Sequence, residues 1–311
     1  MLPYIGQRVF LAIPSLLGVS LLIFLALRVL PGDVALIMLV QDGGPNAATP
    51  ENLARVRQQL GTDRPLAVQY VNWLTGLVQL DPGNSFRSGR SFPITLELTL
   101  LATLFALILG VPAGVISATR QDTTLDYIVR VISMGGIAMP VFWTGTLMLL
   151  AMVQVFHWLP PLGYTGFFAD PWRNIQQVAW PALALGYYMA ALVGRMTRVS
   201  VLEVIREDYV RTARAKGLHE RAVLYGHALK NAALPILTVT TVYFGHLLGG
   251  TVVIETVFNL PGMGLLLIDS IARRDYPITQ AVIVFIALLT VAINLIVDLT
   301  YSWLDPRIRY S

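Results

Sequence analysis

The chain has 311 residues, of which 55% are apolar and only 13% charged, with a formal net charge of +4 and no cysteine. A soluble domain carries roughly 25% charged residues, so this composition leaves too little polar surface for a soluble globule and points to a bilayer. The mild charge gives no sign of a nucleic-acid partner, and the missing cysteines exclude disulfides, thiol chemistry and a cysteine-ligated zinc.

A helix needs about 20 mostly apolar residues to cross the hydrocarbon. The first stretch that qualifies is 9–30, preceded by Arg8. It exceeds a signal-peptide core and no small-x-small cleavage site follows it, so it reads as a retained signal-anchor helix. Residues 31–94 form the one sizeable outer segment. Gly43, Gly44, Pro45 and Pro50 punctuate a loop there, and two short helices are expected over 51–60 and 66–77. Trp73 is placed as an interfacial anchor. The segment suits a cap or docking surface and is too short for an enzyme domain.

Five further spans follow at 96–118, 128–156, 178–199, 234–258 and 279–303, leaving 304–311 as a tail. The fold class expected is therefore an all-α membrane protein of six transmembrane helices, with a core over 95–303. The span 128–156 is long enough to tilt or to break at Gly135–Gly136 or Pro140. Pro14, Pro112, Pro140, Pro181 and Pro235 lie within or at the ends of spans. Each interior proline would cost a soluble helix about 3 kcal/mol, whereas a bundle can satisfy the freed carbonyls. Each reads singly as an ordinary kink and together as a bundle able to flex.

Lys and Arg set the orientation. The connection between the fourth and fifth spans alone holds Arg195, Arg198, Arg206, Arg211, Arg214, Lys216, Arg221 and Lys230, while the short opposite connections hold Arg28, Arg173, Arg273 and Arg274. Both termini and this basic connection are expected in the cytoplasm.

Within the connection 200–232, Leu202, Ile205, Tyr209, Val210 and Ala213 make one apolar stripe at helical spacing. Glu207 and Arg211 stand in the favourable i,i+4 order. Gly217 ends that helix, and a second short helix over 218–232 leads to the fifth span. Helix, glycine turn and helix protrude between two spans; an amphipathic helix lying on anionic lipid would give the same pattern.

The string Tyr209-Val210-Arg211-Thr212-Ala213-Arg214-Ala215-Lys216-Gly217-Leu218, with His227-Ala228-Leu229-Lys230-Asn231, resembles the "EAA…G" loop of permease subunits of ATP-binding-cassette (ABC) importers, in the dipeptide/oligopeptide/nickel branch. Arg211 and Thr212 stand where the general motif has Glu and Ala; Ala213 and Gly217 match it. Glu255 through Gly264, then Arg274-Asp275-Tyr276-Pro277, Asp298-Leu299-Thr300-Tyr301 and Leu304-Asp305-Pro306-Arg307 are similar to the same branch. The resemblance runs from the first span to Arg309, with 41–84 the variable part. It implies a type I importer fold in a prokaryotic inner membrane, a coupling helix over Tyr209–Leu218, a homologous second permease subunit, two ATPase subunits and an extracytoplasmic solute-binding protein. ATP and magnesium would then sit on the ATPases, with no cofactor or metal bound by this chain and no enzyme activity of its own. Di- or oligopeptides are the first substrate class implied; nickel chelates, glutathione and oligosaccharides belong to the same architecture.

Small side chains at Ala213, Ala215 and Gly217 would let a partner's backbone approach closely, and Arg211, Arg214 and Lys216 could meet its acidic groups or lipid phosphates. The turn with Asn259, Pro261, Gly262 and Gly264 reads as a tight re-entry, with docking of a binding protein as the other possibility. Asp298 in the last span is a candidate to pair with Arg195 or Arg198, or else to reach water at the interface. Glu97 and Glu255 are expected at the outer interface. His246 is expected either on the transport path or as a hydrogen-bonded bundle histidine. Rival classes find little support. His219-Glu220 begins a zinc-protease motif, but Val223 occupies the second ligand position. An ion-driven carrier would need more charges deep in its spans.

Overall fold

The computed structural model describes the backbone of residues 2–29, 33, 35–36, 39–40, 44, 48–78 and 91–304, with the side chains of those between 10 and 296, Leu60 excepted. Among the described residues every regular element is helical. The chain divides into two compact units, one of residues 1–89 with 266–295 and one of 90–265 with 296–311.

In the first unit, α1 (Leu2–Val29) contains the first expected span. The two short helices expected between the first two spans are α2 (Pro50–Leu60) and α3 (Leu66–Val78). Thr49 starts α2 by accepting a hydrogen bond from the amide of Asn52, and Gly61 ends it in the left-handed region at φ 66°. Trp73 turns inward on α1. Phe24, Tyr70 and Trp73 form one aromatic cluster with centroids 5.3–6.2 Å apart, and the Ser20 and Tyr70 hydroxyls are 2.8 Å apart. The last helix, α12 (Tyr276–Leu304), begins at a turn where Asp275 accepts from the amide of Ile278.

The second unit is built on α4 (Ser91–Thr119) and α7 (Pro171–Ile205). They touch along a seam of small residues. A methyl group added at Gly110 would lie 2.6 Å from the carbonyl oxygen of Ala190, and one at Gly186 would lie 2.8 Å from that of Ala102. Such closeness replaces the hydrophobic drive that is absent between helices in lipid with dense van der Waals contact. Threonines in this apolar setting satisfy their own hydroxyls: Thr99, Thr103 and Thr197 each donate to the carbonyl four residues earlier.

The expected span 128–156 is two helices, α5 (Thr124–Ala138) and α6 (Val141–Gln154), bent by 107°. The break falls at Met139–Pro140. Proline cannot donate to the helix and keeps the residue before it extended, which Met139 shows at ψ 129°. The fifth expected span is α9 (Leu229–Gly250) followed after Thr251 by α10 (Val252–Val257), and α11 (Met263–Ala272) succeeds the turn over 259–262.

Among the described residues, four helical stretches are long and apolar enough to cross a membrane, or five with the bent pair. The remaining expected span lies in α7. It combines Arg195 and Arg198 with small residues, and much of it is buried against other helices, including Met189, Val193 and Gly194. A helix wrapped by protein has less need of a lipid-compatible surface all round.

Candidate functional site

The basic connection does not continue the helix before it. α7 stops at Ile205, Arg206 and Glu207 make a turn, and α8 starts anew at Asp208 and runs to Ala215. Glu207 is extended at ψ 147°, so the single helix expected across Leu202 to Ala213 is corrected to two. The Glu207–Arg211 pairing is replaced by Arg211 reaching Asp208 at 3.3 Å. Of the expected stripe on α8, Val210 and Ala213 are buried, against Val223 and Val204. Tyr209 stays exposed, its hydroxyl accepting from Asn231 at 2.9 Å.

Gly217 ends α8 at φ 77°, a conformation favouring glycine. The chain then reverses, and Arg214 clamps the returning arm through Glu220 at 2.6 Å. That contact, the largest influence on it, holds the Arg214 guanidinium above its ordinary pKa. His219 caps the returning helix, its Nδ1 accepting from the amide of Arg221, so it serves the backbone. The separate second helix expected over 218–232 is instead Glu220–Ala222, a wide π turn Val223–Ala228, and then α9. Arg211, Thr212, Arg214, Ala215, Lys216, Gly217 and Leu218 all face solvent. This is a solvent-exposed knuckle with a small-residue, cationic tip, its two arms tied by the Arg214–Glu220 ion pair.

Asp126 at the start of α5 is fully buried. Arg198 of α7 donates to both its oxygens, each at 3.0 Å. Ser117 of α4 and the backbone amide of Asp122 donate as well, and Arg130 stands 3.3 Å away. The partner expected for Arg198 is Asp298, whose side chain lies outside the described residues; the partner shown is Asp126. Arg195 makes no hydrogen bond or ion pair among the described residues. Asp126 sits four residues before Arg130 in a stretch read as a span boundary, which gives no hint of a partner 72 residues on.

The turn over 259–264 is a lock around Glu255, expected near the membrane interface and fully buried in the protein. Its carboxylate accepts from the hydroxyls of Thr95 at 2.6 Å and Thr251 at 2.9 Å and from the amide of Leu265 at 2.9 Å. The amide of Met263 in turn donates to Thr95. At Gly262 this carboxylate fills the side-chain space, at Gly264 the backbone and side chain of Val252 fill it first and the carboxylate adds to them, and Asn259 adopts φ 51° to turn the chain. Pro261 stands in the same turn, exposed. Glu97 is half-buried and accepts from the Tyr164 hydroxyl at 2.6 Å; burial, then the neighbouring carboxylate, raises that phenol well above its ordinary pKa. His246 is exposed and lies beside Tyr243 at 5.9 Å, with Tyr188 on the far side of Tyr243.

Residues 110–310 match the family described as "Binding-protein-dependent transport system inner membrane component", and residues 1–91 match its N-terminal companion. The chain belongs to this family. It is a multi-pass protein of the inner membrane. Among its relatives, a dipeptide transport system permease protein DppB of Alkalihalophilus pseudofirmus is 37% identical and a di/tripeptide transport system permease protein DppB of Pseudomonas aeruginosa 39% identical, each with both chains covered in full. A glutathione transport system permease protein GsiC of Escherichia coli is 41% identical, again with full coverage of both. The fold is also that of a solved amino acid ABC transporter, with TM-score 0.54 at 14% identity over 75% of this chain and 96% of that one. The MetNI methionine ABC transporter gives TM-score 0.55 at 19% identity, over 70% and 95%. Within the family, the knuckle at Gly217 is the exposed segment that carries the "EAA…G" resemblance.

Proposed function

We propose that this chain is the permease subunit of an ATP-driven importer of di- and oligopeptides, forming half of the translocation path with a homologous second permease. The observation that carries this is end-to-end identity of 37–39% with permeases named for dipeptides and di/tripeptides. α8 and the Gly217 turn take up the motion of a separate ATPase, which holds ATP and magnesium; two such ATPases and an extracytoplasmic binding protein complete the assembly. Six spans, counting α7 and the bent α5–α6 pair, put both termini and the knuckle in the cytoplasm and residues 31–94 outside. Residues 304–311 form the cytoplasmic tail. Asn259, Pro261, Gly262 and Gly264 then lie where a binding protein docks, held in shape by Glu255. A glutathione importer is the second reading, favoured by the 41% identity to GsiC; glutathione is itself a tripeptide.

The test is Ala215→Trp in the complete importer reconstituted in proteoliposomes. Ala215 is exposed at the tip, so the indole leaves the fold intact but blocks close backbone approach. Peptide uptake and peptide-stimulated ATP hydrolysis should both be lost while the chain remains in the membrane. Undiminished uptake would overturn the coupling role, and uptake without any ATPase would overturn the importer.

A further inference from the structure

Where α4, α5 and α7 meet there is a cavity of about 370 Å³ that the coupling role leaves unused. Arg130, Arg195 and Arg198 line it together with Ser117 and Ser133, and its remaining wall is aliphatic, including Ile137. The charges do not balance. Asp126 is committed to Arg198 through two hydrogen bonds and also faces Arg130. Asp122, exposed on the turn, is the other carboxylate whose field reaches Arg198. Arg195 has no acceptor among the described residues. Nε and Nη2 of Arg130 are buried and form no hydrogen bond there, Nη2 having only the 3.3 Å ion pair to Asp126, and one face of the guanidinium is covered by the Tyr127 ring at 4.4 Å.

The buried N–H groups of Arg130 are costly without an acceptor, and Arg195, exposed at the rim, adds a further open guanidinium. A phosphate presents several acceptor oxygens in the geometry a guanidinium fork matches, and serine hydroxyls add neutral donors. The other wall decides the source of that phosphate. An aliphatic side fits an amphiphile better than a free anion, and the α5 surface next to it exposes Met134 and Val131 by 69% and 66%. We propose that this cavity binds the phosphate of an anionic phospholipid headgroup, with Arg130, Arg195 and Arg198 as its cationic wall and the acyl chains lying along α5. The lipid would brace the α5–α7 junction that Asp126 ties together.

The test uses the full chain, purified with the subunits that accompany it and exchanged into nanodiscs. One set contains phosphatidylcholine alone and another phosphatidylcholine with a minority of phosphatidylglycerol; a third arm adds inorganic phosphate to the first. Retained lipid is counted by native mass spectrometry and thermal stability is followed in parallel. Wild type should retain phosphatidylglycerol selectively and melt higher with it, with no such gain from inorganic phosphate. Arg195→Gln, which removes no hydrogen bond or ion pair among the described residues, and Arg130→Gln should each weaken retention roughly fivefold, the usual share of one basic residue at a charged surface. Equal retention by the variants would overturn the site. Stabilisation by inorganic phosphate equal to that by phosphatidylglycerol would overturn the lipid assignment. Unchanged assembly of Arg195→Gln with its companion subunits distinguishes lost binding from lost folding.

Discussion

Gly110→Ala adds one methyl group where α4 meets α7. Its carbon would stand 2.6 Å from the carbonyl oxygen of Ala190 and 3.2 Å from both the Ala190 Cα and the Gly194 amide nitrogen. All three are backbone atoms, so no side chain can swing aside. Ordinary contact begins near 3.4 Å, and relief requires the two helices to part locally by roughly 0.8 Å, which forfeits a quarter or more of the dispersion well for each atom pair along the seam. Overpacking of this kind costs about 1–3 kcal/mol, against at most about 1 kcal/mol returned by alanine's helix propensity. With the full propensity gain returned, the net expectation is a loss of up to about 2 kcal/mol. The control is Gly245→Ala in α9, where an added methyl meets nothing within 4 Å; it should be neutral or mildly stabilising. Thermal unfolding of the purified chain in detergent, followed by tryptophan fluorescence, separates the two. If Gly110→Ala melts with wild type, or if Gly245→Ala is equally harmful, the seam does not hold the unit together as described.

Four other outcomes follow from the buried carboxylates. Glu255→Ala leaves the donors of Thr95, Thr251 and Leu265 without their acceptor and should cost at least about 1–3 kcal/mol in the same unfolding assay. Gly262→Ala, whose methyl group collides with the Glu255 carboxyl, should also destabilise. The double variant should be more stable than the sum of the two losses by about 0.5 kcal/mol or more, because truncating the Glu255 side chain vacates the space the new methyl needs; strict additivity would refute that contact. Asp126→Asn removes the charge that Arg198 grips with both nitrogens and should cost about 3 kcal/mol, the lower end for a broken buried pair because Arg198 remains partly hydrated. A melting temperature within error of wild type would remove Asp126 from the framework.

Much of this molecule is legible in its sequence because the bilayer forces long apolar runs that no soluble fold needs. The span cores, the two short outer helices and the Gly217 stop follow from local rules of periodicity and capping. Pairings between distant residues do not. Asp126 and Arg198 are 72 positions apart, and Glu255 and Thr95 are 160 apart; nothing in the local pattern of either stretch names the other. Glu255 shows the difficulty plainly. A carboxylate near a span end is usually interfacial, and its burial depends on a hydroxyl from α4 and on two glycines downstream that leave it room. The break before α8 is hidden for a related reason. Its apolar residues keep helical spacing straight through Arg206 and Glu207, although the backbone does not.

The wide turn at Val223–Ala228 carries a consequence for comparing distant relatives. A π turn accommodates an extra residue while the flanking helices keep their axes. A relative that lacks it can therefore be one amino acid shorter there and still present the same faces of α9 to its neighbours. Alignments that spread that single-residue gap elsewhere would rotate every later position of α9 by about 100° and pair lipid-facing with inward-facing side chains.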